Sequence, residues 1–195
     1  MLSMMTWIVY RWRKLAGRVK IFVYHAGQCD PKKCTALRLH RRGLVSIVPK
    51  MRLLPRRSVV LNPFSEIAFS PADRKRIEKF GLSALDCSWK HAKKVLLKHV
   101  RGTSRCLPFL IAGNPVNFGK PTKLSTVEAL AGALFIAGLE DEANNLLSMF
   151  KWGRTFKELN QELLESYFKA KESSEIIRMQ AEFIRRFSSS DNRAP

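Results

Sequence analysis

In a chain of 195 residues, Lys and Arg number 35 against 16 Asp and Glu, a formal charge of +19. That is too lopsided for a protein meeting no polyanion, so RNA, DNA or an anionic membrane surface is implied. A hydrophobic content of 46% excludes a disordered chain and fills one large domain or two small ones, and no apolar run approaches the ~20 residues that cross a bilayer.

Residues 1–20 read as an N-terminal extension: Met1 to Tyr10 is apolar and precedes the basic run Arg11, Arg13, Lys14, Arg18 and Lys20, whereas a signal peptide carries its charge first. Lys20 to Tyr24 has the pattern of a first strand. Asp30 as N-cap and Pro31 in the first turn open a helix over Lys32 to Arg42, stopped by Gly43. Leu44 to Leu54 fits strand or helix, and Pro55-Arg56-Arg57 separates it from a β-branched strand, Ser58 to Leu61, that ends at Asn62-Pro63-Phe64. Ser70, Pro71 and Asp73 open a helix closing at Gly81, and Leu82 to Leu85 is a further short strand.

Lys90 to His99 reads as a basic helix and Arg101 to Arg105 as a polar linker, with a domain boundary near residue 106. Leu107 to Ala112 is short, apolar and uncharged, as in a strand buried on both faces; Gly113, Asn114, Pro115, Gly119 and Pro121 then punctuate a loop. Ser125 and Glu128 form a capping box for a helix of small residues that stops at Gly138. This stretch reads either as an ordinary connection of an α/β domain or as a pocket wall, whose helix N-terminus offers backbone N–H groups to a polar ligand. Glu140 to Phe150, Thr155 to Ala170 and Glu172 to Phe187 have helical spacing, and residues 188–195 read as a disordered tail. The alternation predicts an α/β fold with a largely parallel sheet.

In open α/β sheets ligands bind beyond the carboxyl ends of strands, so the loops at Asn62-Pro63, Asp86 to Trp89 and Gly113 to Asn117 are expected to share one crevice. Asp86 is the carboxylate among them, able to act as a base, orient a substrate N–H, or cap the helix that follows. Trp89 can stack on a base or pack in the core. His25, Cys29 and Cys34 match no usual zinc spacing and the four cysteines include no Cys-x-x-Cys pair, so no metal site is expected and the thiols are read as reduced, in a cytoplasmic protein. There is no Gly-x-Ser-x-Gly elbow, P-loop or dinucleotide fingerprint. Basic segments supply Lys32, Lys33, Arg38, Arg41, Arg42, Arg52, Arg56, Arg57, Lys90, Lys93 and Lys94 as candidate contacts to a phosphate backbone.

Asp30-Pro31-Lys32-Lys33-Cys34-Thr35, Leu61-Asn62-Pro63, Asp86-Cys87-Ser88-Trp89, Leu107-Pro108, the run Gly113 to Gly119, Leu124-Ser125 with Val127-Glu128-Ala129-Leu130, and Trp152-Gly153 together resemble the small-subunit ribosomal RNA aminocarboxypropyltransferase family, in its compact archaeal form. The resemblance covers about Ile21 to Tyr167. It implies transfer of the 3-amino-3-carboxypropyl group of S-adenosylmethionine to N3 of a pseudouridine, commonly N1-methylated, in small-subunit RNA or a pre-ribosomal small subunit. The implied enzyme is a monomer without membrane association.

For the fold, the resemblance implies an N-terminal α/β domain over residues 21–106 and a C-terminal SPOUT-like domain over 107–187 with a deep trefoil knot. Donor contacts would fall on Thr35, Leu61, Pro63, Leu85, Trp89, Leu107, Thr122, Leu124 and Thr126, with Asp86 beside the reacting group. Phe118 stands where the family commonly has tyrosine, and Ala36 where it commonly has glycine. The alternatives are a methyltransferase of the knotted class and a non-catalytic RNA-binding assembly factor.

Overall fold

The computed structural model describes residues 19–86 and 101–191. The first eighteen residues of the N-terminal extension, the expected basic helix over 90–99, Trp89, Lys90, Lys93, Lys94 and residues 192–195 lie outside them. Five parallel strands, β1 (Ile21–His25), β2 (Ser46–Val48), β3 (Val59–Leu61), β4 (Leu82–Asp86) and β5 (Thr103–Arg105), form one sheet in the order β2-β1-β4-β3-β5. Between and after them run α1 (Thr35–Arg41), α2 (Arg74–Phe80), α3 (Thr126–Ile136), α4 (Glu140–Leu147), α5 (Gly153–Leu159), α6 (Gln161–Lys169) and α7 (Ser173–Asp191).

Side chains alternate across a strand, and here the alternation separates two apolar layers. Ile21, Val23, Val59, Leu61, Leu82 and Ala84 enter the main core, while Phe22, Tyr24, Val60 and Leu85 join Leu54 and Met51 in a smaller cluster. The main core is filled from the C-terminal half: α3 is buried almost all round and packs on β4, α1, α4 and α6. A helix apolar on every side has no solvent face, which the run Ala129 to Ala137 permits because its small residues let neighbours close in. Leu110 Cδ1 lies 2.8 Å from where a Cβ on Gly132 would sit.

Several expectations need correction. Asp30 closes its own turn, accepting from the amides of Lys32, Lys33 and Cys34, so α1 starts only at Thr35 with Cys34 as N-cap. Leu107 to Ala112 is buried but is no strand of the sheet. Backbone groups of Gly119, Lys120 and Thr122 and several side chains satisfy its backbone instead: Gln180 accepts from the Phe109 amide at 3.1 Å and Tyr167 donates to the Phe109 carbonyl at 3.1 Å. Asn160 accepts from the Ile111 amide at 2.7 Å and donates to its carbonyl at 2.8 Å. The sheet position goes to the stretch read as a polar linker, because Arg105 in β5 reaches buried Asp73 at 2.9 Å and need not face water. At the C-terminus, α7 continues through the first residues of the stretch read as tail.

The expected SPOUT-like domain with a deep trefoil knot is also corrected. A knotted domain of that class threads its chain through a parallel sheet of its own. Among the described residues, 107–187 contribute no strand to any sheet. Their helices instead share a core with β1, β3 and β4, so the α/β class stands, among the described residues, as a five-stranded parallel sheet with seven helices.

Candidate active site at the strand ends

A cavity of about 960 Å³ opens at the carboxyl ends of β1, β3, β4 and β5, within the range of pockets that enclose a small molecule. Thr35, Leu61, Pro63, Leu85, Asp86 and Leu107 line one side of it. Thr122, Leu124 and Thr126 line the other, so every described residue expected at the donor site faces the same space. Sequence reading did not place Phe150 and Trp152 there; their rings meet at 5.1 Å and close the far wall. Their aromatic pairing at a helix junction carried no signal of where that junction would fold.

One wall is the loop from Gly113 to Ser125, and one buried carboxylate organises it. Glu128 caps α3 through the Ser125 amide at 2.7 Å and hydroxyl at 2.6 Å. It also accepts from the amides of Gly113 at 2.7 Å and Asn114 at 2.9 Å, and from Asn114 Nδ2 at 2.7 Å. The amides of Gly113, Asn114 and Ser125 are therefore already bonded within the protein. Asn114 Oδ1 in turn accepts from the amides of Val116 and Asn117.

A Cβ on Gly113 would lie 2.7 Å from the Phe156 amide nitrogen, so only glycine lets α5 and the loop meet. Thr122 is held at φ 59°, the one non-glycine positive φ among the described residues, and it faces the cavity. Backbone strain of this kind persists where surroundings over-determine it. Val116, 78% exposed, and Phe118, 60% exposed, stand on the outer edge of this rigid loop.

The opposite wall is the 26–34 loop, and it is held differently. His25 pairs with Asp86 in the β1–β4 register. Around them, His25 Nε2 lies 3.2 Å from Cys29 Sγ and 3.4 Å from Cys34 Sγ, while Cys34 Sγ lies 3.3 Å from Asp86 Oδ2. Burial, and then the Cys29 side chain and the Asp86 carboxylate, push the Cys34 thiol up to about 12 against the partial relief of the Leu37 amide. The missing sequence signal was the strand register: Asp86 is distant along the chain and becomes a neighbour only when β4 lies beside β1.

Of the described basic residues, Lys32, Lys33 and Arg38 line the cavity mouth, with Arg38 stacked over Phe150 at 4.9 Å. Arg41, Arg42, Arg52, Arg56 and Arg57 are exposed outside its lining. No helix among the described residues is long and apolar enough to cross a membrane.

A family model described as "Ribosome biogenesis protein, C-terminal" matches residues 59–184, and one described as "Possible Fer4-like domain in RNase L inhibitor, RLI" matches residues 19–52. The chain is 52% identical over 168 residues to the 16S rRNA aminocarboxypropyltransferase of Methanothermobacter thermautotrophicus, covering 85% of this chain and 99% of the relative. It is 47% identical over 167 residues to that of Methanocaldococcus jannaschii, covering 86% and 97%. The solved structure of the SAM-dependent rRNA:acp-transferase Tsr3 from Vulcanisaeta distributa superposes with a TM-score of 0.77 at 38% identity, covering 85% of this chain and 97% of that one. That superposition supports the one-sheet α/β fold over the SPOUT-like trefoil knot first expected. Relatives matched at such identity along nearly their whole length place the chain plainly: it belongs to the 16S rRNA aminocarboxypropyltransferase family.

Proposed function

We infer that this protein transfers the 3-amino-3-carboxypropyl group of S-adenosylmethionine to small-subunit ribosomal RNA, with N3 of an N1-methylated pseudouridine as acceptor. The observation that carries the reading is the convergence of Thr35, Leu61, Pro63, Leu85, Leu107, Thr122, Leu124 and Thr126 on one cavity whose mouth is basic. Its size and mixed lining fit a donor that is part nucleoside and part amino acid: leucines and a proline exclude water, and threonines offer hydroxyls. The donor supplies a sulfonium that activates each attached carbon and departs as methylthioadenosine.

Selectivity among those carbons is a matter of which one the pocket presents to the nucleophile. The rigid Glu128-organised loop and the strained Thr122 support a fixed presentation. Of the roles open to Asp86, orientation is better supported than proton abstraction, because its Oδ2 is already engaged by Cys34 and lies 3.7 Å from His25 Nε2. Lys32, Lys33 and Arg38 grip phosphates beside an accessible loop base. A cytoplasmic monomer acting on pre-ribosomal small subunits completes the reading.

The test incubates the protein with unmodified small-subunit RNA and S-adenosylmethionine carrying carbon label in either the carboxyl or the methyl group. Carboxyl label entering RNA without methyl label is the expected result. Methyl label alone would make the protein a methyltransferase, and no incorporation of either label would leave an RNA-binding assembly factor.

A further inference from the structure

The ligand-type atoms of His25, Cys29, Cys34 and Asp86 all lie within 4.8 Å of one another. Zinc bonds to nitrogen, oxygen and sulfur imply tetrahedron edges of about 3.3–3.8 Å. Four of the pairs measure 3.2 Å (His25–Cys29), 3.4 Å (His25–Cys34), 3.3 Å (Cys34–Asp86) and 3.7 Å (His25–Asp86). The donors come from two adjacent strand ends in register and from the loop between β1 and α1, so three separate backbone constraints aim them at one point. Cys34 is buried, and the His25 and Asp86 side chains are only 12% and 20% exposed.

We propose that His25, Cys29, Cys34 and Asp86 bind a single zinc ion in a closed structural site that pins the 26–34 loop to the ends of β1 and β4. Two cysteines, one imidazole and one carboxylate match the mixed donor set zinc accepts, and four protein ligands leave no open position for catalysis. An iron–sulfur cluster generally takes four cysteines, whereas among the described residues this group holds Cys29 and Cys34, with Cys106 instead beside the Pro63 carbonyl. On binding, the two thiols each release a proton to solvent and become thiolates, and the ion replaces the thiol–carboxylate and thiol–imidazole contacts. The Leu37 amide, 3.5 Å from Cys34 Sγ, remains as a donor to the bound thiolate. Ligation through Nε2 puts the His25 ring proton on Nδ1. That gives up the long 3.3 Å bond from the exposed Gly27 amide, which water replaces.

The consequence is mechanical. The same loop carries Lys32 and Lys33 at the cavity mouth, and Asp86 sits on the cavity wall, so the ion would fix that side of the pocket and, by holding one oxygen of Asp86, the orientation of its carboxylate. The proposal stands on geometry alone and holds whether or not the transfer reading does.

The experiment measures metal in the full-length protein purified without chelator, then replaces zinc by cobalt and records the visible spectrum. Expected are one zinc per chain, the intense absorption of tetrahedral cobalt with a thiolate charge-transfer band, and loss of that band in Cys29→Ser and His25→Ala. Each of these variants should hold zinc more than ~100-fold less tightly against a chelating dye, since even outer-sphere losses cost 10–100-fold. Cys106→Ser should keep the spectrum. Wild-type protein without zinc that also fails to take up cobalt, a Cys29–Cys34 disulfide, or bound iron with inorganic sulfide would each overturn the proposal.

Discussion

The two walls of the cavity solve the same problem with opposite chemistry. The Gly113–Ser125 wall is closed by hard hydrogen bonds from one buried carboxylate, which serves three amides, a side-chain amide and a hydroxyl. The 26–34 wall has a backbone bond from Ala26 to Asp86 and a turn closed on Asp30 by Lys32, Lys33 and Cys34, and adds to these soft sulfur and imidazole contacts. A charge-assisted network in a buried site fixes one geometry. Soft contacts at the cavity mouth leave the wall adjustable until something ties it. The Gly113–Ser125 side of the pocket is thus built into the fold, whereas the 26–34 side leans on the cluster of His25, Cys29, Cys34 and Asp86.

The comparison breaks most visibly at Glu128. Glu128→Ala strands several buried donors at once, and removing one partner from such a buried charged network costs about 3–5 kcal/mol. Chemical denaturation should show that loss, and donor binding should fall with it because the loop no longer holds its shape. A variant that kept both near wild type would mean that the loop is held by packing alone. Asp86→Ala, on the soft side, should act differently: transfer drops by about 100-fold, the scale of a misplaced reacting geometry, with donor affinity much less affected. Single-turnover label transfer set against equilibrium donor binding checks this, and equal losses in both would make Asp86 a binding residue.

How far the chain could be read in advance follows the same division. Local signals were legible: Ser125 and Glu128 form the expected capping box, Ser70 and Asp73 form another, and Gly81 stops α2. What depended on distant partners was not. Leu107 to Ala112 has every local mark of a buried strand, yet its backbone is satisfied by the loop at 119–122 and by Asn160, Tyr167 and Gln180 far along the chain. Arg101 to Arg105 looked like a linker because the partner that allows Arg105 inside, Asp73, stands at the start of a different helix. Glu128 was legible as a cap; its grip on Gly113 and Asn114 needed the loop to return. His25, Cys29 and Cys34 carried no recognisable ligand spacing, and Asp86 joins them only through strand register.

A milder probe asks whether the 26–34 wall faces RNA. Replacing Lys32 and Lys33 together by alanine should weaken RNA binding across sequences and lower the slope of log affinity against log salt by about one to two, the share of two phosphate contacts. A salt titration by fluorescence anisotropy reads this directly. An unchanged slope would place the RNA on another basic face, with Arg52, Arg56 and Arg57 the next residues to change.

The smallest effect sharpens the hard side. Tyr167 is fully buried and donates to the Phe109 carbonyl at 3.1 Å, anchoring the segment that leads into the Gly113 loop. Tyr167→Phe should cost about 1 kcal/mol at neutral pH, the net worth of one hydrogen bond. Burial also pushes the phenol above its ordinary value of 10.0. A raised value means that the folded chain keeps a proton which the unfolded chain releases. The wild-type advantage over Tyr167→Phe is therefore fully present below the unfolded value and is lost as pH rises through the folded one. Urea midpoints of both proteins from about pH 8 to about pH 11 should run parallel at first and converge at the alkaline end. Parallel curves throughout would mean that the phenol ionises as easily in the fold as in water, and that the root of the loop is wetter than its packing implies.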